Sequence, residues 1–494
     1  MGCDDLNEFK EQIESGALAR AGLLDATTIV AATALLKQVA DSDLETVRVL
    51  FADQHGILRG KTIVADALPS IFTSGLAVPS TLLLKDTSHR TVFPIWSKNL
   101  GIDLSSEGNM AGAADILMLP DPATFRILPW SSHSAWIFCD PRFKSGAVMP
   151  FSPRDMLKSA IAKLAAHNLD LMVGLEVEFH VFERTDQMLE HADAGMPSQP
   201  AKTRNLTPGY QFLTEDRYAQ AEPILDELRR SCQAMNMPVR SMEIEMGPSQ
   251  FEFTFDPADP LTHADNMMMF RAMVKEICAA CGLHATFMCR PNLENTAASG
   301  WHLHQSLMDR KTGRNMMIPN ADGTISDEAS GWIAGLLAYA SESCLLTTPT
   351  INGYKRYRPH QLAPDRIQWG RDNRGAMIRG LMAAGDPASR VENRVAETTA
   401  NPYYFFTSQI LSGLDGLTSS LSAPDPVENP YETDAPYLPD SLLRAIQLFD
   451  GSKFYRTALG DAFVDYLTTI RQAEWNRYHL TVSEWEQAEY FGLY

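Results

Sequence analysis

Ionisable side chains stand two positions apart in three separate short segments of this chain. The polar members of these segments are Glu176 and Glu178, then Glu243, Glu245 and Glu252, then His302, His304 and Ser306. Side chains two positions apart on a β-strand point to the same face of a sheet, and apolar residues such as Leu175 and Val177 fill the alternate positions. Burying so many carboxylates together costs free energy unless cations compensate them. The three segments therefore predict a site for divalent metal.

The chemistry of this ligand set indicates which metal would bind. Carboxylates outnumber imidazoles and no thiol belongs to the segments, which favours magnesium or manganese over zinc. Taken alone, the pair Glu176 and Glu178 is also typical of the solvated face of an amphipathic strand. Likewise, His302 and His304 alone would be typical of structural or surface histidines. Three such segments in one region favour the metal interpretation.

A cluster of arginines between Tyr354 and Arg394 is the second unusual feature. Its arginines are Arg356, Arg358, Arg366, Arg371, Arg374, Arg379, Arg390 and Arg394. In a chain with a formal net charge of -19, this local reversal indicates an anionic partner, because the guanidinium fork suits carboxylates and phosphates. The alternative is a basic face that pairs with acidic neighbours at a subunit contact. Metal-binding acids combined with arginines predict nucleotide-dependent phosphoryl chemistry, although neither a P-loop nor a kinase-type glycine-rich loop is present.

Length and composition limit the class of protein. With 494 residues, of which 45% are hydrophobic, the chain can bury a large core and form two or more domains. The net negative charge argues against binding to nucleic acid or anionic membranes. Seven scattered cysteines, with no signal peptide or transmembrane run, predict a reduced, cytoplasmic protein.

Local patterns predict an α+β chain in three parts. Residues 1–40 are expected to form a helical N-terminal extension, and residues 41–140 a small β-rich domain with a hairpin over Thr46–Val64. Residues 141–494 are expected to form a large α/β domain. A helix is predicted to begin after Ser152, with Pro153 in its first turn, and another to span Pro260–Cys281.

The motifs together resemble those of the glutamine synthetase family. Residues 174–182 resemble its Glu-x-Glu-Phe strand, residues 245–252 its Glu-x-Gly-Pro-Gly-Gln-x-Glu signature with Ser249 in place of glycine, and residues 299–306 its Ser-Gly-x-His-x-His-x-Ser strand. Further along, residues 352–356 resemble its Asn-x-Tyr-Lys-Arg segment. Residues 390–394 and 400–403 complete the set in the family's order, so the similarity covers roughly residues 45 to 494.

The resemblance implies a fold and a set of site residues. It implies a β-grasp-like N-terminal domain and a catalytic domain whose curved antiparallel sheet carries the ligands of two metals, Mg²⁺ or Mn²⁺. The metal nearer glutamate would be held by Glu178, Glu245 and Glu252. The metal nearer the phosphates of ATP would be held by Glu176, His302 and Glu392. The family's stacked hexameric rings imply a homo-dodecamer.

The same resemblance assigns roles to the arginines and their neighbours. Arg356 and Arg394 would clamp the carboxylates of glutamate. Arg374, Arg379 and Arg390 would contact phosphates or the phosphoryl group in flight, and Arg374 is predicted to be catalytic together with Glu392. His304 and Ser306 would lie beside the nucleotide.

Three departures from the family pattern bear on the substrate. Leu362 stands where glutamine synthetases have a loop glutamate that helps to deprotonate ammonium. No acid occurs in Val78-Pro79-Ser80, where the family has an aspartate that holds ammonium. Ala297-Ala298 replaces an Asn-Gly pair used around the amino group of glutamate, so Ala298 is a candidate substrate contact.

A pocket without carboxylates would favour an amine with an apolar body, bound by burial at roughly 25 cal/mol per Å². The sequence therefore predicts a ligase that joins glutamate to an alkylamine or an aniline-type compound. Trp301, Tyr357 and Trp369 are aromatic candidates for its pocket. The alternatives are an ammonia-dependent glutamine synthetase and an inactive nucleotide or metabolite sensor.

Overall fold

Three helices open the chain in the computed structural model, which describes residues 4–97, 100–104, 108, 110–186, 190–360 and 362–494. They are α1 (Asp4–Glu14), α2 (Ala17–Arg20) and α3 (Ala26–Ala40). Asp25 caps α3, because its carboxylate accepts a hydrogen bond from the Thr28 backbone N–H at 2.7 Å. The helical prediction for this region is confirmed over these three helices.

A five-stranded mixed sheet follows. Its elements are β1 (Thr46–Ala52), β2 (Leu58–Val64), α4 (Leu68–Ser74), β3 (Leu76–Pro79), β4 (Asp115–Ile127) and β5 (Ser134–Arg142). The strand order is β2-β1-β5-β4-β3, with β1 and β5 parallel. The predicted hairpin is confirmed, since Thr46 pairs with Val64 across β1 and β2. Strand β5 runs to Arg142 and so crosses the boundary that was predicted at residue 140.

The turn of this hairpin is fixed by one buried carboxylate. Asp53 accepts hydrogen bonds from the backbone N–H groups of His55 and Ile57 and from Arg59 Nε, each at 2.9 Å. Asn401, beyond the second sheet in the chain, donates to the Asp53 carbonyl at 3.0 Å. The turn therefore connects the first sheet to the rest of the protein.

Beyond β5 the chain builds a nine-stranded sheet and most of the helices. The strands are β6 (Leu169–Arg184), β7 (Thr203–Asn205), β8 (Val239–Ile244), β9 (Gln250–Ala258), β10 (Leu283–Thr286), β11 (Trp301–Asp309), β12 (Trp369–Arg371), β13 (Ile378–Leu381) and β14 (Arg390–Asn393). The main strand order is β12-β13-β14-β11-β6-β9-β8, and β7 and β10 pair with β6. The strands described in this sheet pair antiparallel, except that β12 and β13 run parallel.

The helices of this part are interspersed with the strands and then end the chain. They are α5 (Pro153–Ala166), α6 (Glu215–Ala234), α7 (Pro260–Ala280), α8 (Asp327–Ala338), α9 (Ala340–Thr347), α10 (Pro402–Thr418), α11 (Leu442–Asp450), α12 (Lys453–Leu459), α13 (Asp461–His479) and α14 (Glu484–Tyr490). The predicted starts of α5 and α7 are confirmed. Ser152 is the N-cap residue of α5, but its hydroxyl donates to the Asp155 carboxylate at 2.5 Å instead of capping the helix. No helix of the described residues is long and apolar enough to cross a membrane.

The two faces of β11 have opposite characters. Trp301 lies on the apolar face, fully buried, and packs against Phe405 and Phe406 of α10 with ring centroids 5.2 and 5.6 Å away. Trp369 is also buried, and its Nε1 donates to the Pro424 carbonyl at 2.6 Å. Both tryptophans belong to the core, so their suggested place in an amine pocket was wrong. Tyr357 donates from its hydroxyl to the Val395 carbonyl at 3.2 Å.

Candidate active site

The register of the large sheet brings the predicted polar residues onto neighbouring strands. Across successive strands the backbone partners are Arg379 with Glu392, Glu392 with His304, His302 with Glu176, Glu178 with Glu252, and Glu252 with Glu243. Because paired residues point to the same side of a sheet, these side chains share one face. Segments far apart in the chain therefore meet in one site.

Three carboxylates, one on β6, one on β9 and one directly after β8, lie close together. Glu178, Glu245 and Glu252 each offer an oxygen within 4.8 Å of the others. Burial raises the pKa of Glu178 to about 7, against the lowering effect of Arg356. Burial and the charge of Glu178 raise the pKa of Glu245 to about 8, and burial with its acidic neighbours places that of Glu252 well above its usual range. Such a group must hold either protons or a cation, and its hard oxygen donors fit Mg²⁺ or Mn²⁺.

Glu178 is oriented by groups to which the sequence had assigned no role. Gln250 Nε2 and the Gly300 backbone N–H donate to Glu178 Oε2 at 3.0 and 3.1 Å. Gln250 is itself held, because its Oε1 accepts from the Gly247 N–H at 2.9 Å and its Nε2 also reaches the Ser299 hydroxyl at 3.2 Å. The available signal was its position two residues before Glu252, which places both side chains on the same face of β9.

A second polar group centres on Glu176. His302 Nδ1 lies 3.1 Å from one of its oxygens, and His304 Nε2 lies 2.7 Å from the other. Although burial opposes it, these hydrogen bonds lower the pKa of Glu176. His302 Nδ1 is also 3.5 Å from Glu392 Oε1, so the three residues predicted for the second metal are brought together.

His304 lies closer to this group than the sequence suggested. Donor atoms of Glu176, His304 and Glu392 fall within 4.8 Å of one another, as do those of Glu176, Glu252 and His302. Burial and the charge of Arg394 lower the pKa of His302 to about 4, which leaves its ring neutral. A neutral imidazole among carboxylates is a suitable metal ligand.

Buried arginines surround Glu392. Arg394 Nη1 donates to Glu392 Oε1, and Arg379 Nη1 donates to Oε2 at 3.1 Å. Burial opposes ionisation of Glu392, but the charge of Arg394 lowers its pKa. On the same strand as Glu392, Arg390 Nε donates to His304 Nδ1 of the neighbouring strand β11 at 2.9 Å. The carboxylates and arginines thus form one continuous network.

Arg356 enters the site from a short 3-10 turn, Gly353–Arg356. Its Nη1 donates to the carbonyls of Arg394 and Val395 at 2.8 and 3.1 Å, and its Nη2 lies 3.4 Å from His302 Nε2. A side chain at Gly300 would overlap Arg356 and lie 2.9 Å from His302 Nε2. Glycine at this position lets the guanidinium reach the acids.

Four predicted site residues lie outside the network. Arg374 is exposed on the turn between β12 and β13, and within the described part of the chain it has no ion pair or hydrogen bond. Ser306 donates to the Ser389 carbonyl at 3.0 Å. Ala298 is half-buried just before Ser299 and Gly300. Leu362 is 57% exposed, and its carbonyl accepts from Arg394 Nη2 at 3.2 Å.

Comparison with known proteins identifies the family. The model of the glutamine synthetase catalytic domain matches residues 150–490. The chain belongs to the glutamine synthetase family. The prediction made from its motifs is therefore confirmed.

Several relatives carry names of amide ligases. A γ-glutamylanilide synthase of an Acinetobacter species is 36% identical over 479 residues, covering 94% of this chain and 96% of its own. The γ-glutamylethanolamide synthetase GlnA4 of Streptomyces coelicolor is 32% identical, covering 91% of this chain and 93% of its own. Among solved structures, ligand-free GmaS has a TM-score of 0.76 at 25% identity, covering 92% of this chain and 99% of its own.

Proposed function

We propose that this protein is an ATP-dependent ligase that joins the γ-carboxylate of glutamate to an organic amine. The reaction would pass through γ-glutamyl phosphate and release ADP and phosphate. The observation that carries the proposal is Leu362, an exposed apolar side chain whose carbonyl is hydrogen-bonded to the site arginine Arg394. A carboxylate at position 362 would attract ammonium, whereas the leucine that occupies this position carries no charge.

The acidic groups supply two metal positions in this proposal. Glu178, Glu245 and Glu252 would hold one Mg²⁺ or Mn²⁺, and Glu176, His302 and Glu392 the other. Such ions would supply positive charge that neutralises the phosphates of ATP. Gln250 and Gly300 keep Glu178 oriented through their hydrogen bonds, and the neutral ring of His302 remains available as a ligand.

The arginines supply anion binding and transition-state stabilisation. Arg356 and Arg394 would hold the carboxylates of glutamate, with Ala298 nearby as a backbone contact. Arg379, Arg390, His304 and Ser306 would face the nucleotide, and a cavity of 320 Å³ is lined by Arg390 together with Arg371 and Met382. Arg374, which has no acid partner, would meet the phosphoryl group in flight.

The amine would be of the aniline or alkylamine type. Two of the relatives are named as a γ-glutamylanilide synthase and a γ-glutamylethanolamide synthetase, which supports an organic amine as the substrate class. Val78, Pro79 and Ser80 carry no acid, although Asp115 pairs with Pro79 across β3 and β4. Because anilines are uncharged at neutral pH, they would need the least help in losing a proton before they attack the acyl phosphate.

The remaining architecture follows the same proposal. Residues 41–140 would form a β-grasp-like domain after the helical extension of residues 1–40, and residues 141–494 would form the catalytic domain whose sheet carries the metal ligands. We propose a cytoplasmic dodecamer of two hexameric rings. Analytical ultracentrifugation would test the assembly.

The decisive experiment is a measurement of ATP- and glutamate-dependent phosphate release with ammonium, alkylamines, anilines and polyamines. We expect the highest kcat/KM with an apolar primary amine or an aniline, and low values with polyamines, whose distal charge finds no acid. A preference for ammonium would make the protein a glutamine synthetase with an altered loop. No phosphate release with any amine would favour a sensor.

A further inference from the structure

A large cavity lies between the first sheet and the helix α7, away from the carboxylate network. Its volume is about 670 Å³, within the range of pockets that hold small molecules. The apolar part of its wall consists of Leu50, Ile57, Leu58, Trp136, Met268 and Phe287. The hairpin β1–β2, strand β5, helix α7 and the segment after β10 thus all contribute to it.

The charged part of the wall is mainly basic, in a chain with a net charge of -19. Two of its arginines are neutralised, since Arg48 pairs with Glu276 at 2.7 Å and Arg471 with Glu474 at 3.0 Å. Arg271 and Lys275 also line the cavity. Within the described residues, neither has a carboxylate at ion-pair distance.

Arg271 is the buried one of these two cations, whereas Lys275 lies exposed at the edge of the cavity. Arg271 is 8% exposed, and its guanidinium donates to the carbonyls of Thr398, Ala400 and Gly56 at 3.0–3.1 Å. These neutral acceptors satisfy its N–H groups, and the charge of Asp53, which is not at ion-pair distance, compensates it only in part. Burial lowers its pKa to about 10, as expected of a buried cation without an ion pair.

Two buried polar atoms of lining residues have no hydrogen-bond partner among the described residues: His55 Nδ1 and Arg471 Nε. His55 Nε2 lies 2.9 Å from the Lys85 carbonyl, which can only accept, so Nε2 carries the proton. Burial and the charge of Arg471 lower the pKa of His55, so its Nδ1 holds a free lone pair. Buried polar atoms without partners are rare, and these two come from separate segments of the chain.

We propose that this cavity is a binding site for a small organic acid that has an apolar body and a hydroxyl or N–H donor. The carboxylate would lie between Arg271 and Lys275, where it would compensate two charges. The donor would meet His55 Nδ1, and Thr399 can either donate or accept. The apolar body would pack against Leu58 and Trp136. This site is separate from the glutamate and nucleotide positions of the proposed function and does not depend on it.

Titration calorimetry of the full-length protein with the three hydroxybenzoate isomers tests this site. Saturating ATP and glutamate are present, so that the nucleotide and glutamate positions of the proposed active site are filled, and the cavity variants distinguish this cavity from the amine position. Two related compounds serve as probes of the ligand chemistry: benzoate lacks the donor, and hydroxybenzyl alcohol lacks the carboxylate. We expect one hydroxybenzoate isomer to bind at least about tenfold more tightly than benzoate or hydroxybenzyl alcohol. Each of these two compounds lacks a group that would form a hydrogen bond or an ion pair in the cavity.

Two conservative variants link binding to the cavity. Thr399→Val removes one hydroxyl of the cavity wall without changing the shape of the side chain, and Lys275→Gln removes one positive charge. Each should weaken hydroxybenzoate binding about tenfold, while Lys311→Gln, an exposed lysine on the far turn after β11, should leave it unchanged. The proposal is wrong if no isomer binds in the millimolar range, if ATP and glutamate displace the isomer, or if both cavity variants bind like the native protein.

Discussion

The proposed metal ligands and the residues that would meet glutamate and the amine are held in different ways. Glu176, Glu178 and Glu252 stand in the middle of long paired strands, so backbone hydrogen bonds on both sides fix their positions. By contrast, Arg356 lies on a 3-10 turn, Arg374 on an exposed turn, and Leu362 on a loop where its own φ is 53°. The metal half of the site is therefore part of the sheet, whereas the half that would meet glutamate and the amine depends on loops. A change of amine can then occur without any change in the sheet.

The largest effects are expected in the half fixed by strands. Glu178→Ala, Glu245→Ala and His302→Ala should each lower kcat/KM by on the order of hundredfold or more, since each leaves the remaining carboxylates poorly neutralised. Glu243→Ala is the matched control, because Glu243 pairs with Glu252 in the sheet but belongs to none of the three ligand groups. Activity near the native level in two of the three variants would refute the two-metal assignment.

Intermediate effects are expected among the arginines. Arg374→Ala should lower kcat by roughly tenfold to hundredfold with little change in ATP binding, as expected of a group that meets charge mainly in the transition state. Arg356→Ala should instead raise the KM for glutamate. Arg366→Ala provides a control, since Arg366 stacks on Tyr437 and donates to the Ala435 carbonyl. An unchanged glutamate KM in Arg356→Ala would contradict the carboxylate clamp.

A smaller effect is expected at Leu362. Leu362→Glu should shift the ratio of kcat/KM values for ammonium and the best organic amine toward ammonium by about tenfold, because the new charge attracts a cation and disfavours an apolar body. Leu362→Gln introduces a polar but uncharged side chain, so it distinguishes the effect of the new charge on amine preference from the effect of losing an apolar contact. Equal shifts in both variants would show that charge is not the determinant.

The smallest expected effect concerns stability without metal. Glu178 and Glu245 have folded-state pKa values of about 7 and about 8, above the value of an exposed glutamate. A raised folded-state pKa contributes stability at low pH that is lost as the pH rises through it. Chelator-treated protein should therefore melt a few degrees lower at about pH 8 than at about pH 6. Magnesium should reverse the loss, and Glu245→Gln should weaken the pH dependence; a Tm independent of pH would contradict the acid cluster.

The part of the site that lies on strands could largely be predicted from the sequence, because side chains alternate between the two faces of a strand. The period-2 pattern of a strand places Glu176 and Glu178 on one face, and likewise His302 and His304. The same pattern puts Trp301 on the opposite face, so it already argued against Trp301 as a residue of the amine pocket. The helix α7 was predicted to within one residue. Two features could not be predicted: the parallel pairing of β12 with β13, and the hydrogen bond that Gln250 donates to Glu178. Both depend on tertiary contacts that the local sequence pattern does not specify.

Gly300 has a consequence for attempts to redesign this enzyme. Any other residue there would push against Arg356 and His302 and would disturb the N–H that holds Glu178. Randomised libraries aimed at new amines should therefore leave the segment from Ser299 to Ser306 unchanged. Their diversity is better placed at His360 and Leu362, where exposed side chains on a loop tolerate replacement without loss of the folded framework.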